Sequence, residues 1–167
     1  MSGRDASDAD RGPAPAAPRA ARRTIDGAAA RRAFDGAIET HDQAFGSFFL
    51  ARLLGFRIGY PGGHCVVRFD VEDFMFNPQG SLHGGIIALA LDVSMGHLLN
   101  DLQGPGSTLE MKTQYMRPVR GGTATAVGRL VTRGRSICFL EASLHDDAGA
   151  LAATATATWK FLPPAAA

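Results

Sequence analysis

From Thr24 to about Leu54 the apolar residues recur at roughly helical spacing, with Phe45, Phe48, Phe49 and Leu53 along one stripe. The spacing predicts a helical segment capped by Thr24, broken near Gly46 and ended by Gly55. The period then becomes two. Cys65, Val67, Phe69 and Val71 share one side while His64, Arg68 and Asp70 fall on the other, which predicts a half-buried strand after the turn Tyr60-Pro61-Gly62-Gly63. A loop over Glu72–Ser81 carries Asn77-Pro78-Gln79-Gly80. Behind it, Leu82–Leu99 is an apolar run of 18 residues in which Asp92 is the one formally charged side chain. It predicts a helix to about Asn100, broken by Gln103-Gly104-Pro105-Gly106.

Four strands follow in quick succession: Thr108–Val119, Thr123–Arg133, Ser136–His145 and Leu151–Phe161. The first places Leu109, Met111, Thr113 and Tyr115 on one face, and the last alternates Thr154, Thr156 and Thr158 against Ala153, Ala155, Ala157 and Trp159. Their short links favour antiparallel pairing. A helix apolar on nearly every side must be surrounded rather than lie on a surface. The order helix, strand, helix, four strands therefore predicts an α+β fold, a curved antiparallel sheet wrapped around one long central helix.

Composition narrows the class. A chain of 167 residues with 46% hydrophobic and 20% charged side chains can bury a real core without disulfides or metal. Cys65 and Cys138 lie in alternating apolar runs and are expected as small core residues. Met1–Arg23 is rich in Ala, Arg and Pro and is expected as a disordered tail, with no apolar stretch of a secretory signal. A transit peptide is the rival reading, and three aspartates count against it. The remaining 24–163 are expected as one domain, a helical segment over 24–54 and a core over 55–163. A net charge of +1 offers no basic field for nucleic acid. Leu82–Leu99 is long enough to span a membrane, but His83, Asp92, His97 and the Gly-Gly start favour a buried helix. A cytoplasmic location, with no membrane partner, is the expectation.

Two features of the central helix carry chemistry. An ionised Asp92 in an apolar setting is costly unless compensated, so it sits either at a wet rim or at a site. Gly84-Gly85 at the helix start leaves backbone N–H groups bare, at the positive end of the helix dipole, where a developing oxyanion could settle. A plain tight turn is the other reading. Eight residues separate Gly84 from Asp92, about 12 Å along a helix, so one chain does not easily grip one small group with both. Two antiparallel copies about a two-fold axis could, which points to a homodimer with shared sites.

Other chemistries find little support. Asp92-Val93-Ser94-Met95-Gly96 lacks the first glycine of a nucleophile elbow and lies mid-helix. His41, His64, His83, His97 and His145 show no metal-ligand spacing, and no phosphate-binding Gly-Lys-Ser/Thr loop is present. No metal and no cofactor are expected.

The run Asn77-Pro78-Gln79-Gly80-Ser81-Leu82-His83-Gly84-Gly85, with Asp92 nine residues after the histidine, resembles the hotdog-fold acyl-CoA thioesterases, in particular the phenylacetic-acid-pathway-like branch. Gln114-Tyr115-Met116-Arg117-Pro118, Arg133-Gly134-Arg135 and Asp147-Ala148-Gly149 support it, and the likeness covers Phe45 to Phe161. The resemblance implies an acyl-CoA substrate. Asn77 and the Gly84 N–H would polarise the thioester carbonyl, Asp92 of the partner chain would act as general base or nucleophile, and Thr108 would help orient water. His83 would shape the helix start, and Gly85 would stand at the substrate. Members that use Glu in place of the helix Asp carry Thr one turn later; here that position is Gly96, which favours the Asp-type branch. A homodimer, or a dimer of dimers, is implied.

Burial should raise the pKa of Asp92. Arg117, Arg120, Arg133 and Arg135, at strand ends and turns, could reach the nucleotide phosphates of CoA or simply be solvated. Phe74, Met75, Phe76 and Met95 are candidates for the acyl pocket or for core. A hotdog acyl-CoA hydratase or dehydratase, and a binding protein without turnover, share the fold and are the alternatives.

Overall fold

The computed structural model describes residues 24–161. The expected tail Met1–Arg23 and the last residues of the expected domain lie outside that range. The chain opens with helix α1 (Gly27–Thr40), turns through residues 41–48, and forms the short helix α2 (Phe49–Leu53). The break near Gly46 is where the sequence places it. The cap is not: Asp26, rather than Thr24, accepts from the N–H groups of Ala28 and Ala29 through Oδ1, at 2.9 and 3.0 Å. Both residue types cap well. The choice is tertiary, because the Asp26 N–H is itself held at 2.8 Å by Oδ2 of Asp73, far along the chain.

Strand β1 (Arg57–Gly59) follows, too short to show an alternation, and was not expected. Strand β2 (Cys65–Asp70) pairs with it; a 3-10 turn (Asp73–Met75) and a loop then lead into helix α3 (Gly84–Gln103). The last strands are β3 (Gly106–Tyr115), β4 (Thr123–Arg133), β5 (Ile137–His145) and β6 (Leu151–Phe161). All neighbouring strands are antiparallel, in the order β1-β2-β4-β5-β6-β3. Strand β3 therefore ends the sheet on one side.

Helix α3 packs against one face of this sheet and reaches strands β2 to β6. Ala90, Leu91, Met95, Leu98 and Leu99 are fully enclosed, packed with Cys65, Val67, Phe69, Cys138, Leu140 and Leu144 from the strands. Burying each of the leucine, methionine, valine and phenylalanine side chains among them stabilises the fold by about 1.5–3 kcal/mol relative to exposure. The helix backbone itself touches the sheet. A β-carbon at Gly128 in β4 would stand 2.5 Å from the Ser94 carbonyl oxygen, so only glycine admits this approach. Gly104, at φ 102°, closes the helix, its N–H reaching the Asn100 carbonyl at 3.0 Å. The two cysteines are free and buried, and burial pushes the Cys65 thiol up to about 12.

One facial assignment changes. Strand β3 has a bulge between Thr108 and Glu110, opposite Trp159 and Thr158 of β6. Leu109 is the extra residue and turns outward, 55% exposed, instead of joining Met111 and Thr113 on the helix side. Strand bulges of this kind re-aim side chains. Here Thr108 is left facing α3.

Candidate active site

Asp92 sits in the third turn of α3, half-buried, on the helix side that faces β3. Thr108, turned inward by the bulge, donates from Oγ1 to Asp92 Oδ1 at 2.9 Å. Burial raises the Asp92 carboxyl above its ordinary value, and the Thr108 hydrogen bond pulls it back in part. A carboxylate raised in this way is a stronger base when ionised, and its one side-chain hydrogen bond fixes which oxygen stays open for a proton.

The start of α3 is built from its flanking loop. The Leu82 N–H reaches the Val119 carbonyl at 2.8 Å and the His83 N–H reaches the Met75 carbonyl at 2.9 Å, so the chain enters the helix at a fixed angle. His83 is the cap: its Nδ1 accepts from the Gly85 N–H at 2.9 Å. This takes up the donor expected to meet substrate at Gly85. The His83 carbonyl accepts from Ile86 and Ile87. Among the described residues the Gly84 N–H has no hydrogen-bond partner, which makes it the open donor of this helix end. Tyr115 braces the same turn, its hydroxyl donating to the Gly84 carbonyl at 3.0 Å. The alternation of the strand puts Tyr115 on the same face as Met111 and Thr113, but nothing in its spacing marks the contact with Gly84.

Asn77 ties its own loop together. Its Oδ1 accepts from the N–H groups of Gln79 and Ser81 at 3.0 and 3.3 Å, and its Nδ2 donates to Ser81 Oγ at 3.2 Å. An amide NH₂ carries two donors, so one is left for another group.

The arginines divide into two sets. Arg117 and Arg120 lie in the loop that holds the start of α3, whereas Arg133 is the last residue of β4 and Arg135 lies in the turn after it, all exposed. The strand residues 123–132 lie between the sets, about 33 Å at roughly 3.3 Å per residue. Within one chain they do not rim one pocket.

Met75 and Met95 are core residues, 2% and 0% exposed, and do not line a pocket at Asp92. The cavity at that carboxylate, about 470 Å³, is instead walled by Thr108, Phe45, Phe48, Gly96, His97 and Trp159. Sequence reasoning missed these aromatic walls, which come from three distant segments and carry no common spacing. His97 links them: Tyr60 Oη and His97 Nδ1 are hydrogen-bonded at 3.1 Å, and Phe45 stacks edge-on to the imidazole at 5.1 Å. Burial lowers the His97 pKa, so the ring is neutral near pH 7.

Comparison with known proteins decides the family. The profile of the thioesterase superfamily matches residues 79–153. The medium/long-chain acyl-CoA thioesterase YigI of Salmonella typhimurium is 33% identical over 128 residues, covering 65% of this chain and 82% of that one. The chain belongs to the thioesterase superfamily. Two solved structures place its fold: a phenylacetic acid degradation-related protein of Ralstonia eutropha (30% identity, TM-score 0.61, covering 67% of this chain and 89% of that one), and a Bacillus halodurans protein crystallised with CoA (24% identity, TM-score 0.70, 80% and 93%). The long helix on a six-stranded antiparallel sheet is the hotdog fold of these enzymes. This thioesterase-superfamily member is a hydrolase.

Proposed function

We propose that the protein hydrolyses acyl-CoA thioesters at sites shared between two chains. The observation that carries this is the pairing of a raised, Thr108-bonded carboxylate with an open Gly84 N–H eight residues away on the same helix. Eight residues span about 12 Å, too far for one thioester carbonyl to meet both. Strand β3, which carries Thr108, is an edge of the sheet, so a second chain can approach Asp92 from that side.

In this reading the substrate carbonyl accepts from the Gly84 N–H of one chain and from the remaining Asn77 amide donor. Asp92 of the other chain takes a proton from water, whose oxygen attacks the carbonyl carbon. The carbonyl oxygen becomes an oxyanion held by the same donors. Collapse of the tetrahedral intermediate breaks the carbon–sulfur bond, the Asp92 carboxyl returns its proton to the departing thiolate, and free acid and CoA result. An anhydride through direct attack by Asp92 is the second route, separated from the first by incorporation of ¹⁸O from water into the carboxylate in a single turnover. The exposed arginines of each set would meet CoA phosphates.

The test is thiol release from a panel of acyl-CoAs, with Asp92→Asn and Gly84→Pro made separately and then mixed. Each variant alone is expected to be silent. Refolded together, random pairing makes half the dimers mixed, each with one intact site, so about a quarter of wild-type activity returns. Silent mixtures overturn the shared site. A silent wild type that still binds acyl-CoA overturns hydrolysis and leaves a binding protein.

A further inference from the structure

We propose that the bend over residues 43–48 is the acyl-selecting wall of this site, bounding the cavity beside Asp92 so that it favours an uncharged acyl chain of limited length. This rests on the acyl-thioester reading of Asp92 and goes beyond it in naming what chooses the substrate.

The cavity begins at the reacting groups, with Asp92 and Thr108 in its wall, and runs along α3 past Gly96 to His97. An acyl chain whose carbonyl lies at Asp92 has this space to enter. Its volume, about 470 Å³, falls in the range of roughly 300–1,000 Å³ typical of small-molecule pockets. Trp159 forms one part of the wall, and Phe45 and Phe48 from the bend form another. Among the described residues no lysine or arginine lines it, and the one carboxylate is Asp92, so an acyl group ending in an anion meets a repelling charge there and no cationic partner.

The bend is built to keep its shape. The Asp42 N–H reaches the Ser47 carbonyl at 2.9 Å and the Ser47 N–H reaches the Ala44 carbonyl at 3.2 Å, closing the turn on itself. Gly46 takes φ 86°, which a side chain would resist. Phe45 and Phe48 then both rest against His97, with ring centroids 5.1 and 6.3 Å away. Tyr60 holds that imidazole from the other side. The family profile matches residues 79–153, so this wall is contributed by a part of the chain outside the matched region.

The experiment measures kcat/KM for straight-chain acyl-CoAs from butyryl to palmitoyl in wild type, Phe48→Ala and Phe48→Trp. Leu50→Ala, on α2 and outside the cavity wall, controls for local loosening of the segment. In parallel, the matching non-hydrolysable S-alkyl-CoA thioethers are titrated against the fluorescence of Trp159, the single tryptophan of the chain. Phe48→Ala is expected to raise the ratio of long-chain to medium-chain kcat/KM by roughly tenfold, the scale of one methylene's worth of hydrophobic discrimination. Phe48→Trp is expected to lower that ratio, and Leu50→Ala to leave it as in wild type. Length profiles that coincide in wild type and both Phe48 variants, by turnover and by Trp159 fluorescence, overturn the inference. Thioethers that report the shifted length preference without any turnover of acyl-CoA uphold the wall and overturn the hydrolase reading alone.

Discussion

A β-carbon on Gly96 would lie 2.6 Å from Cη2 of Trp159, so α3 and β6 meet at this pair with no space between backbone and indole. The contact sets part of the wall of the cavity beside Asp92, because the rim of the indole can come this close to the helix only where the helix has no side chain. It also gives a physical reason for glycine at the position where Glu-type relatives are expected to carry threonine.

Gly96→Ala is expected to destabilise the fold by about 1–3 kcal/mol through overpacking, despite the better helix propensity of alanine. For a domain of this size that lowers Tm by roughly 2–4 °C per kcal/mol, read by thermal unfolding. The displaced indole should also change the acyl-length profile.

Thr108→Val should move the acid limb of the pH–rate profile upward. Burial already places the Asp92 carboxyl above 3.8, and the Thr108 hydrogen bond opposes that shift by favouring the carboxylate. Removing the bond leaves burial unopposed, so more of the enzyme is protonated and inactive at a given low pH. An unchanged limb with a reduced plateau would assign Thr108 to orienting water only.

Asp92→Asn should be more stable than wild type near neutrality while losing at least about a hundredfold in kcat/KM, the usual scale for a general base. The sign follows from linkage. A carboxyl whose pKa is higher folded than unfolded has its most favourable contribution below the unfolded value and loses it as pH rises through the folded value. The stability gain of the asparagine variant should therefore shrink as the pH falls toward about 4, the range of an unperturbed aspartate. Thermal unfolding at both pH values reads it.

Gly84→Pro removes the open N–H with little strain expected. Gly84 is the first residue of α3, where proline is favoured, and His83 before it holds φ −63° and ψ 134°, a conformation compatible with a following proline. Helix content by circular dichroism should persist while kcat falls by about 10²–10³, as for loss of one oxyanion donor. Full activity in a folded Gly84→Pro protein would remove this N–H from the mechanism.

The elements legible in the sequence are those with long, uninterrupted local patterns. Strands β4 and β6 match their expected limits residue for residue, because alternation over eleven positions, bounded by Gly122 and Gly134 for β4 and by Gly149 and Pro163 for β6, leaves one register. Helix α3 runs from Gly84 to Gln103, two residues later at its start and three at its end than the apolar run suggests, since the bond that His83 Nδ1 accepts from the Gly85 N–H and the one that the Gly104 N–H donates to Asn100 set its limits. Strand β1 was missed because three residues carry no period. Leu109 was misplaced because a bulge breaks alternation without a mark in composition.

The sequence by itself determined the layers and the order of the long elements, and it singled out Asp92 and Gly84 as candidates, because a lone charge and a glycine pair stand out against an apolar helix. Tertiary structure alone decided what surrounds them. The Thr108–Asp92 hydrogen bond depends on a strand bulge, the open donor depends on His83 having taken the Gly85 N–H, and the cavity wall joins Phe45, His97 and Trp159 across more than a hundred residues. Local periodicity records which face of an element is buried. Which residues of distant elements come to share a cavity follows from how those faces pack, and no spacing along the chain encodes it.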